Sequence, residues 1–456
     1  MTKQKQILID TLMHKKTDSV AWVPFAGVHA GKLLGYNATE VLQDADKLFA
    51  SLMEVNKLYK PNGQPVLFDL QIEAEILGCE LVWAVDCPPS VNSHPLQNTT
   101  KIPCRCTLPT KEDGRLPMAL DVMKRMKEAV GETTALYGLI CGPFTLASHL
   151  RGNDIFIDMY DDEEYVTGLL DYCADVCTTV AKMYIDEGMD VIAVVDPLVS
   201  QVSCDHFEDF LTSPFAKIFD FIRKNNTLSS FFVCGDATRN IENMCKTNPD
   251  SISVDENVNL SAAKRITDQY NITIGGNIPL TTVMLHGNQQ DNMKCVVDLI
   301  DSIDDKTNLI IAPGCDMPYN VPIENGIAVV QAVLNTDATR EMIKNYTSSM
   351  DDIEVEIPCY DDLTKPFIEV FTLDSASCAA CTYMMGAANV AKETFGDKID
   401  VIEYKFTEKV NIARCMKMGV KNLPSIYING RLAFASIIPN KEELEGKINQ
   451  AIDELK

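Results

Sequence analysis

Eight short apolar runs, rich in β-branched residues and nearly all separated by room for an amphipathic helix, constrain this chain more than any other feature. They are VAWVPF (20–25), PVLFDL (65–70), TALYGLIC (134–141), DVIAVVD (190–196), SSFFVC (229–234), SISVD (251–255), ITIGGN (272–277) and NLIIAPGC (308–315). Strands that alternate with helices form βα units and a parallel sheet. Eight of them predict a closed (β/α)8 TIM barrel rather than an open sheet. One connector shows the helical pattern. Val166, Leu169, Leu170, Cys173, Val176, Cys177, Val180, Ala181, Tyr184 and Ile185 share one face, and Gly188 follows as a stop. Cys173 and Cys177 lie in that stripe and read as small core residues rather than a metal pair.

The pattern breaks near residue 347. The stretch SSMDDIEVEIPCYDDLTKP is acidic, holds two prolines and lacks a helical period, so residues 347–364 read as an extended linker after a barrel domain over 1–346. Beyond it come a strand (FIEVFTL, 367–373), a CAAC turn, a helix (382–394), a strand (DVIEYKF, 400–406), a helix (408–418), a hairpin of SIYING and RLAFAS, and a last helix from 440. That order defines a second, small α/β domain over 365–456.

Charge limits the partners. Forty Lys and Arg against 65 Asp and Glu give a net charge of −25, a field that repels phosphate backbones and anionic lipid, so neither nucleic acid nor a membrane is expected as a partner. The N-terminal MTKQKQILIDTLMHKKTD mixes charges into a helical pattern, and no run reaches the ~18 apolar residues of a membrane span, so a cytoplasmic protein is expected. Its sixteen cysteines then read as thiols, metal ligands or redox pairs rather than as a disulfide framework.

Reactive groups of a (β/α) barrel gather at the C-terminal ends of its strands. Read in order, those ends carry Pro24 and Gly27, Asp69, Cys141-Gly142-Pro143, Asp196-Pro197, Cys234-Gly235-Asp236, Asp255-Glu256, Gly276-Asn277 and Gly314-Cys315-Asp316. No lysine or arginine stands directly at any of them, which serves a polycarboxylate substrate poorly. Cys234 and Cys315, on the fifth and eighth runs, are placed to converge over the barrel mouth. Two readings stay open. The pair binds a soft metal such as zinc, whose open position would hold a substrate thiol as thiolate, or it is two ordinary buried cysteines. Asp196 is a candidate acid, base or anchor. Asp69, Glu73 and Glu75 follow the second run, with Glu73 or Glu75 facing either the cavity or solvent. Asn277, behind two glycines, is a candidate substrate contact. His29, His149 and His206 each have a packed or surface alternative, and Cys104 and Cys106 receive no role.

The segments DSVAWVPFAG, FDLQIEAEILGCE (68–80), GPFTLASHLRG (142–152), GMDVIAVVDPLVS (188–200), ISVDENVNLSAAK (252–264), IGGNIPLTTVMLHG (274–287) and APGCDMPYNVPIENGIAVV (312–330) follow one another through the barrel. On them the chain resembles the uroporphyrinogen decarboxylase superfamily and, within it, the methylcobalamin:thiol methyltransferases. The decarboxylases carry an arginine-rich motif after the first strand. Here PFAGVHAGK offers His29 and Lys32 but no arginine, so decarboxylation is disfavoured. The methyltransferases bind zinc through a His-x-Cys on the fifth strand and a Cys on the eighth. Cys234 and Cys315 match the cysteines, Phe232 stands at the histidine position, and Asp236, Asp255, Glu256 or His206 would have to supply a further ligand. The chain lacks a DxHxxG motif, so the resemblance implies that cobalamin arrives on a partner corrinoid protein, with a small thiol or methylated compound as substrate.

Cys378-Ala-Ala-Cys381 follows a strand and opens a helix, a setting that favours the thiolate of the first cysteine. Together with Pro424 in GVKNLPSIYING, it makes the last 90 or so residues resemble thioredoxin. The resemblance implies Cys378 as attacking thiol, Cys381 as resolving thiol and a cis Pro424 against them. A zinc reading needs a second pair, and only Cys415 is at hand. The expectation is a corrinoid-dependent methyltransferase with a fused redox module. The alternative is a barrel without methyl transfer that acts as a binding scaffold for a thioredoxin-like oxidoreductase. A lyase is least favoured.

Overall fold

The computed structural model describes residues 2–347, 355–376 and 378–455. The chain divides into two compact units, Met1–Val199 with Ser203–Ser349, and Ser200–Val202 with Met350–Lys456.

In the larger unit all eight apolar runs form strands: β1 (Ala21–Trp22), β2 (Gly63–Leu67), β3 (Ala135–Cys141), β4 (Val191–Val195), β5 (Leu228–Val233), β6 (Ser251–Val254), β7 (Thr273–Ile278) and β8 (Leu309–Pro313). They form one sheet in the order β1-β8-β7-β6-β5-β4-β3-β2, and every ladder is parallel. Such strands are buried on both faces, which is why the runs are continuously apolar rather than alternating. Every residue of β3 and β7 is buried. The two edges meet through Asn62, just ahead of β2. Its N–H donates to the Trp22 carbonyl (3.0 Å), and its side-chain oxygen accepts from the Trp22 N–H (2.8 Å). The sheet is thus an eight-stranded parallel near-barrel.

Inward-facing side chains fill it. Phe232 on β5 is fully buried, with its ring 4.6 Å from Phe25 and 6.0 Å from Phe68. Helix α1 (Lys3–Leu12) closes the N-terminal end and adds Leu8 and Leu12 to the same core. Three of its attachments lie at strand starts. Lys5 Nζ donates to Asp190 (2.7 Å) ahead of β4, Asn62 Nδ2 donates to the Gln4 carbonyl (2.9 Å), and Thr273 Oγ1 at the start of β7 donates to the Thr11 carbonyl (2.9 Å). Helix α2 (Leu116–Val130) packs outside the sheet, as does α3 (Glu163–Asp186), which buries Cys173 and Cys177 completely. Gly188 follows α3 with φ +86°, the left-handed conformation that ends helices.

In the smaller unit, β9 (Phe367–Thr372), α4 (Ala379–Phe395), β10 (Asp400–Lys405), α5 (Lys409–Met418), β11 (Ser425–Ile428), β12 (Arg431–Ala435) and α6 (Lys441–Glu454) follow the order read from the sequence. The sheet order is β10-β9-β11-β12, with β9 parallel to β10 and antiparallel to β11. Of the expected linker, residues 348–354 lie outside the described residues. From Val355 onward it packs onto the small unit instead of running free. Val355 is buried and its carbonyl accepts from Lys417 Nζ (2.7 Å), and Tyr360 Oη donates to the buried Glu369 (2.8 Å). The acidic composition hides these two anchors. Among the described residues no helix is long and apolar enough to cross a membrane.

If α1 is part of the barrel core, Leu8→Ala should lower the urea-unfolding free energy of the larger unit by about 2–5 kcal/mol through lost burial and the cavity left behind. Truncating the exposed Met13 should change it by no more than about 0.5 kcal/mol.

Candidate functional site

The C-terminal ends of β2, β3, β5, β6, β7 and β8 bring together a group of carboxyls, one guanidinium and one sulfur pair. Asp69 follows β2 and is enclosed. It accepts from the Gln71 N–H (2.8 Å) and from Arg115 Nη1. Arg115, the residue before α2, also donates through Nε to Glu75 (2.8 Å) and lies 4.9 Å from the Trp83 ring. Nothing in the strand pattern points to this arginine. It ends a long polar insertion, and only the path of that insertion carries it to Asp69.

Glu73 sits in the short helix Ile72–Ile76 that the Asp69 turn begins. It is 1% exposed; Oε1 accepts from the Cys141 N–H (3.1 Å) at the end of β3, and Oε2 is enclosed without a hydrogen-bond partner. Burial, with the Asp69 charge adding to it, raises the Glu73 carboxyl to about 7. Glu75 stays with Arg115. Of the two sequence candidates, Glu73 is the enclosed one.

Asp316 follows β8. Burial raises its carboxyl to about 8 against the opposing N–H groups of Gly27, Val28 and Met317. The Gly27 N–H donates to it at 2.7 Å, and a Cβ on Gly27 would lie 2.6 Å from the same oxygen, so glycine is needed there. The same device recurs at Gly314, where a Cβ would lie 2.5 Å from Glu256 Oε2. Glu256 Oε1 accepts from the Leu280 N–H (3.3 Å), while the enclosed Oε2 has no hydrogen-bond partner. Burial, then the neighbouring Asp255, holds this carboxyl well above its ordinary value.

Other sequence candidates are spent on the fold. Asp196 is fully enclosed and anchors the helix Pro143–Arg151, accepting from the Phe144 N–H (2.9 Å) and from Thr145 Oγ1 (2.6 Å). Burial raises its carboxyl to about 6 against those bonds. Asn277 follows a cis Gly276–Asn277 bond and donates to the carbonyls of Asp255 (2.9 Å) and Val258 (2.6 Å), tying β7 to the turn after β6. His29 engages both ring nitrogens, with the Tyr319 carbonyl (3.1 Å) and with Tyr59 Oη (2.7 Å), and burial lowers it to about 4. It is a packed neutral histidine with no nitrogen left for a substrate.

Cys234 and Cys315 do converge, but as a disulfide with Cα atoms 5.7 Å apart. Both are half-buried and rest on the core beside Phe232. Residues two apart on a strand share a face. The position below Cys234 that would hold an imidazole therefore holds a phenyl ring inside the barrel. The proposed extra ligands are engaged elsewhere at least in part, with Glu256 keeping Oε2 without a hydrogen-bond partner. Asp236 Oδ1 accepts from the Thr238 N–H (3.0 Å), Asp255 Oδ1 from the Asn257 N–H (2.9 Å), Glu256 Oε1 from Leu280, and His206 lies against Tyr160 and Phe210. Among the described residues no group of three His, Cys, Asp or Glu is arranged to hold a metal ion. The donor set therefore does not fit zinc, which asks for at least three protein ligands.

In the smaller unit Cys378 caps α4, its sulfur accepting from the Cys381 N–H (3.4 Å). Cys381 is 1% exposed, its sulfur accepts from the Leu373 N–H (3.3 Å), and burial holds its thiol well above the ordinary value. Both are free thiols. Pro424 follows a cis Leu423–Pro424 bond just before β11.

The raised mouth carboxyls make stability pH-dependent. Unfolded carboxyls titrate near 4, so between about pH 4 and each raised value the folded chain holds protons that the unfolded chain has lost. That stabilisation is complete below about pH 4 and falls as pH rises toward about 8, the Asp316 value. Asp316→Asn keeps an acceptor for Gly27 and cannot ionise. It should shrink the difference in urea midpoint between about pH 5 and about pH 8; an unchanged difference would show that Asp316 is not the proton holder.

Comparison with known proteins places this geometry. The family model described as uroporphyrinogen decarboxylase (URO-D) matches residues 3–336. A methylcobamide:CoM methyltransferase, MtbA, of Methanosarcina acetivorans is 28% identical over 322 residues, covering 70% of this chain and 92% of its own. The methylcobamide:CoM methyltransferase MtaA of Methanosarcina barkeri is 28% identical over 275 residues, 58% of this chain and 76% of its own. A solved structure described as a methyltransferase from Methanosarcina mazei superposes with a TM-score of 0.65 at 22% identity, over 75% of this chain and 99% of its own. With that family model spanning nearly three quarters of its length and the barrel it implies in place, the chain belongs to the uroporphyrinogen decarboxylase family.

Proposed function

We propose that the barrel moves a methyl group between a cobalamin carried by a partner corrinoid protein and a small thiol, and that the smaller unit is a thioredoxin-like thiol–disulfide module. The relatives named above support the class of reaction. The observation that carries it on this chain is Glu73, an enclosed carboxyl at the mouth with one oxygen pinned by Cys141 and the other without a partner.

A free thiol has a pKa near 8.5, and only its thiolate is a good nucleophile, so at neutral pH the acceptor must give up a proton. Glu73, raised to about 7, is poised to take it through Oε2 and to return it to water. The corrinoid, when docked, supplies an electrophilic methyl group. The acceptor sulfur, its proton held by Glu73, would be the nucleophile for that methyl group. Arg115 holds Asp69 in place beside Glu73, and its charge is already paired with the two carboxylates of Asp69 and Glu75. The acidic mouth weighs against decarboxylation of a polycarboxylate substrate. The second reading, a barrel that serves only as scaffold for the redox module, draws support from Phe232 and from the bonded state of Cys234 and Cys315.

The deciding measurement is methyl transfer from free methylcobalamin to a panel of small thiols, with the reduced full-length protein. The rate should rise through about pH 7 as Glu73 ionises, and Glu73→Gln should lower it by about 10²–10⁴ and remove that limb. No methylated thiol at any pH would leave the scaffold reading standing.

A further inference from the structure

We propose that the Cys234–Cys315 disulfide at the barrel mouth is a thiol–disulfide exchange site whose reductant is the Cys378–Cys381 dithiol. The inference rests on the reading of the smaller unit as a thiol–disulfide module and names that module's substrate.

The cysteines of this chain fall into distinct classes. Cys141, Cys173 and Cys177 are completely buried, and burial holds their thiols well above the ordinary value, the condition of inert core cysteines. Cys234 and Cys315 are half-buried and stand at the strand ends, on the side of the barrel where ligands arrive. Their bond spans β5 and β8, which are separated in the sheet by β6 and β7. Those four strands are already held by the β5–β6, β6–β7 and β7–β8 ladders and by the filled interior beneath. The bond is therefore not what keeps the strands together. Since Phe232 stands two residues before Cys234 and no group of three His, Cys, Asp or Glu among the described residues is arranged to hold a metal ion, the chemistry assigned to the two sulfurs is exchange with another thiol.

The complementary pair has the opposite redox state. Cys378 and Cys381 are free thiols; Cys378 is the more exposed and Cys381 is enclosed behind it. That asymmetry assigns the order of events. The Cys378 thiolate attacks one sulfur of the Cys234–Cys315 bond, a Cys378 mixed disulfide forms, and the other barrel cysteine leaves as thiolate and takes a proton. Cys381 then attacks Cys378, the mixed disulfide breaks, and the second barrel cysteine is released as a thiol. Two electrons and two protons pass from the Cys378–Cys381 dithiol to the barrel pair, and no further reactant is consumed. The product is a barrel mouth that carries two thiols above Phe232.

The test uses the full-length chain with its native disulfide. In Cys381→Ser the resolving thiol is missing, so peptide mapping after an acid quench should find Cys378 joined to Cys234 or Cys315. Cys378→Ser/Cys381→Ser should give no such peptide. With a limiting amount of dithiothreitol, alkylation of Cys234 and Cys315 should be at least about tenfold slower in Cys378→Ser than in the natural sequence, and equal when dithiothreitol is in excess, which shows that the variant is folded. Three results overturn the proposal. Cys234 and Cys315 alkylate without any reductant, so there is no disulfide to exchange. The chain reduces a small disulfide such as dithionitrobenzoate through Cys378 while the barrel pair stays oxidised, so the module stands and its assigned substrate falls. Neither disulfide is reduced, and the reading of the smaller unit falls with the inference.

Discussion

Phe25, Phe68 and Phe232, with Tyr137 beside them, fill the barrel just beneath its mouth, and the rest of the larger unit is arranged on that plug. Parallel strands leave no edge or face to water, so their interior has to be packed to near-crystalline density before the ladders close. Below the rings, Leu8 and Leu12 of α1 finish the packing. Above them, the chain leaves each strand over a dry floor, and any polar group set there is desolvated from one side.

That floor explains the electrostatics of the mouth. Glu73, Asp196, Glu256 and Asp316 are all raised by burial, and hydrogen bonds from nearby N–H groups oppose the rise. Each answers the cost in its own way. Asp196 takes up helix N–H groups, Asp316 takes up the Gly27 N–H, and Asp69 pairs with Arg115. Glu73 and Glu256 each keep one enclosed oxygen without a hydrogen-bond partner. The same floor sets the fate of the sulfurs. A phenyl ring under Cys234 offers neither charge nor lone pair, so the two cysteines find each other.

Much of this was legible in the chain. The eight runs fall on the eight strands because a strand buried on both faces can only be written as continuous apolar residues. The buried cysteines of α3 were readable from helical period alone. The strand-end reading placed Asp69, Asp196, Cys234, Asn277 and Cys315 where the structure has them, yet it could not separate what reaches the cavity from what serves the backbone. His29 and Asn277, candidate substrate contacts by position, are consumed by Tyr59, Tyr319 and the turn after β6. Arg115 was invisible because no local period governs an insertion. Val355 and Tyr360 were lost inside an acidic stretch whose average hides two anchors.

The sequence by itself determined the parallel eight-stranded sheet, the order of elements in the smaller unit, the CxxC at the head of its helix, and an apolar Phe232 two residues before Cys234. These follow from local pattern, because period, run length and residue type act over a few neighbours. The tertiary structure alone decided that Cys234 and Cys315 are bonded, that Arg115 reaches Asp69, and that Glu73 rather than Glu75 is the enclosed carboxyl. Each of those depends on distances between residues far apart in the chain, and on how completely water is shut out where they meet.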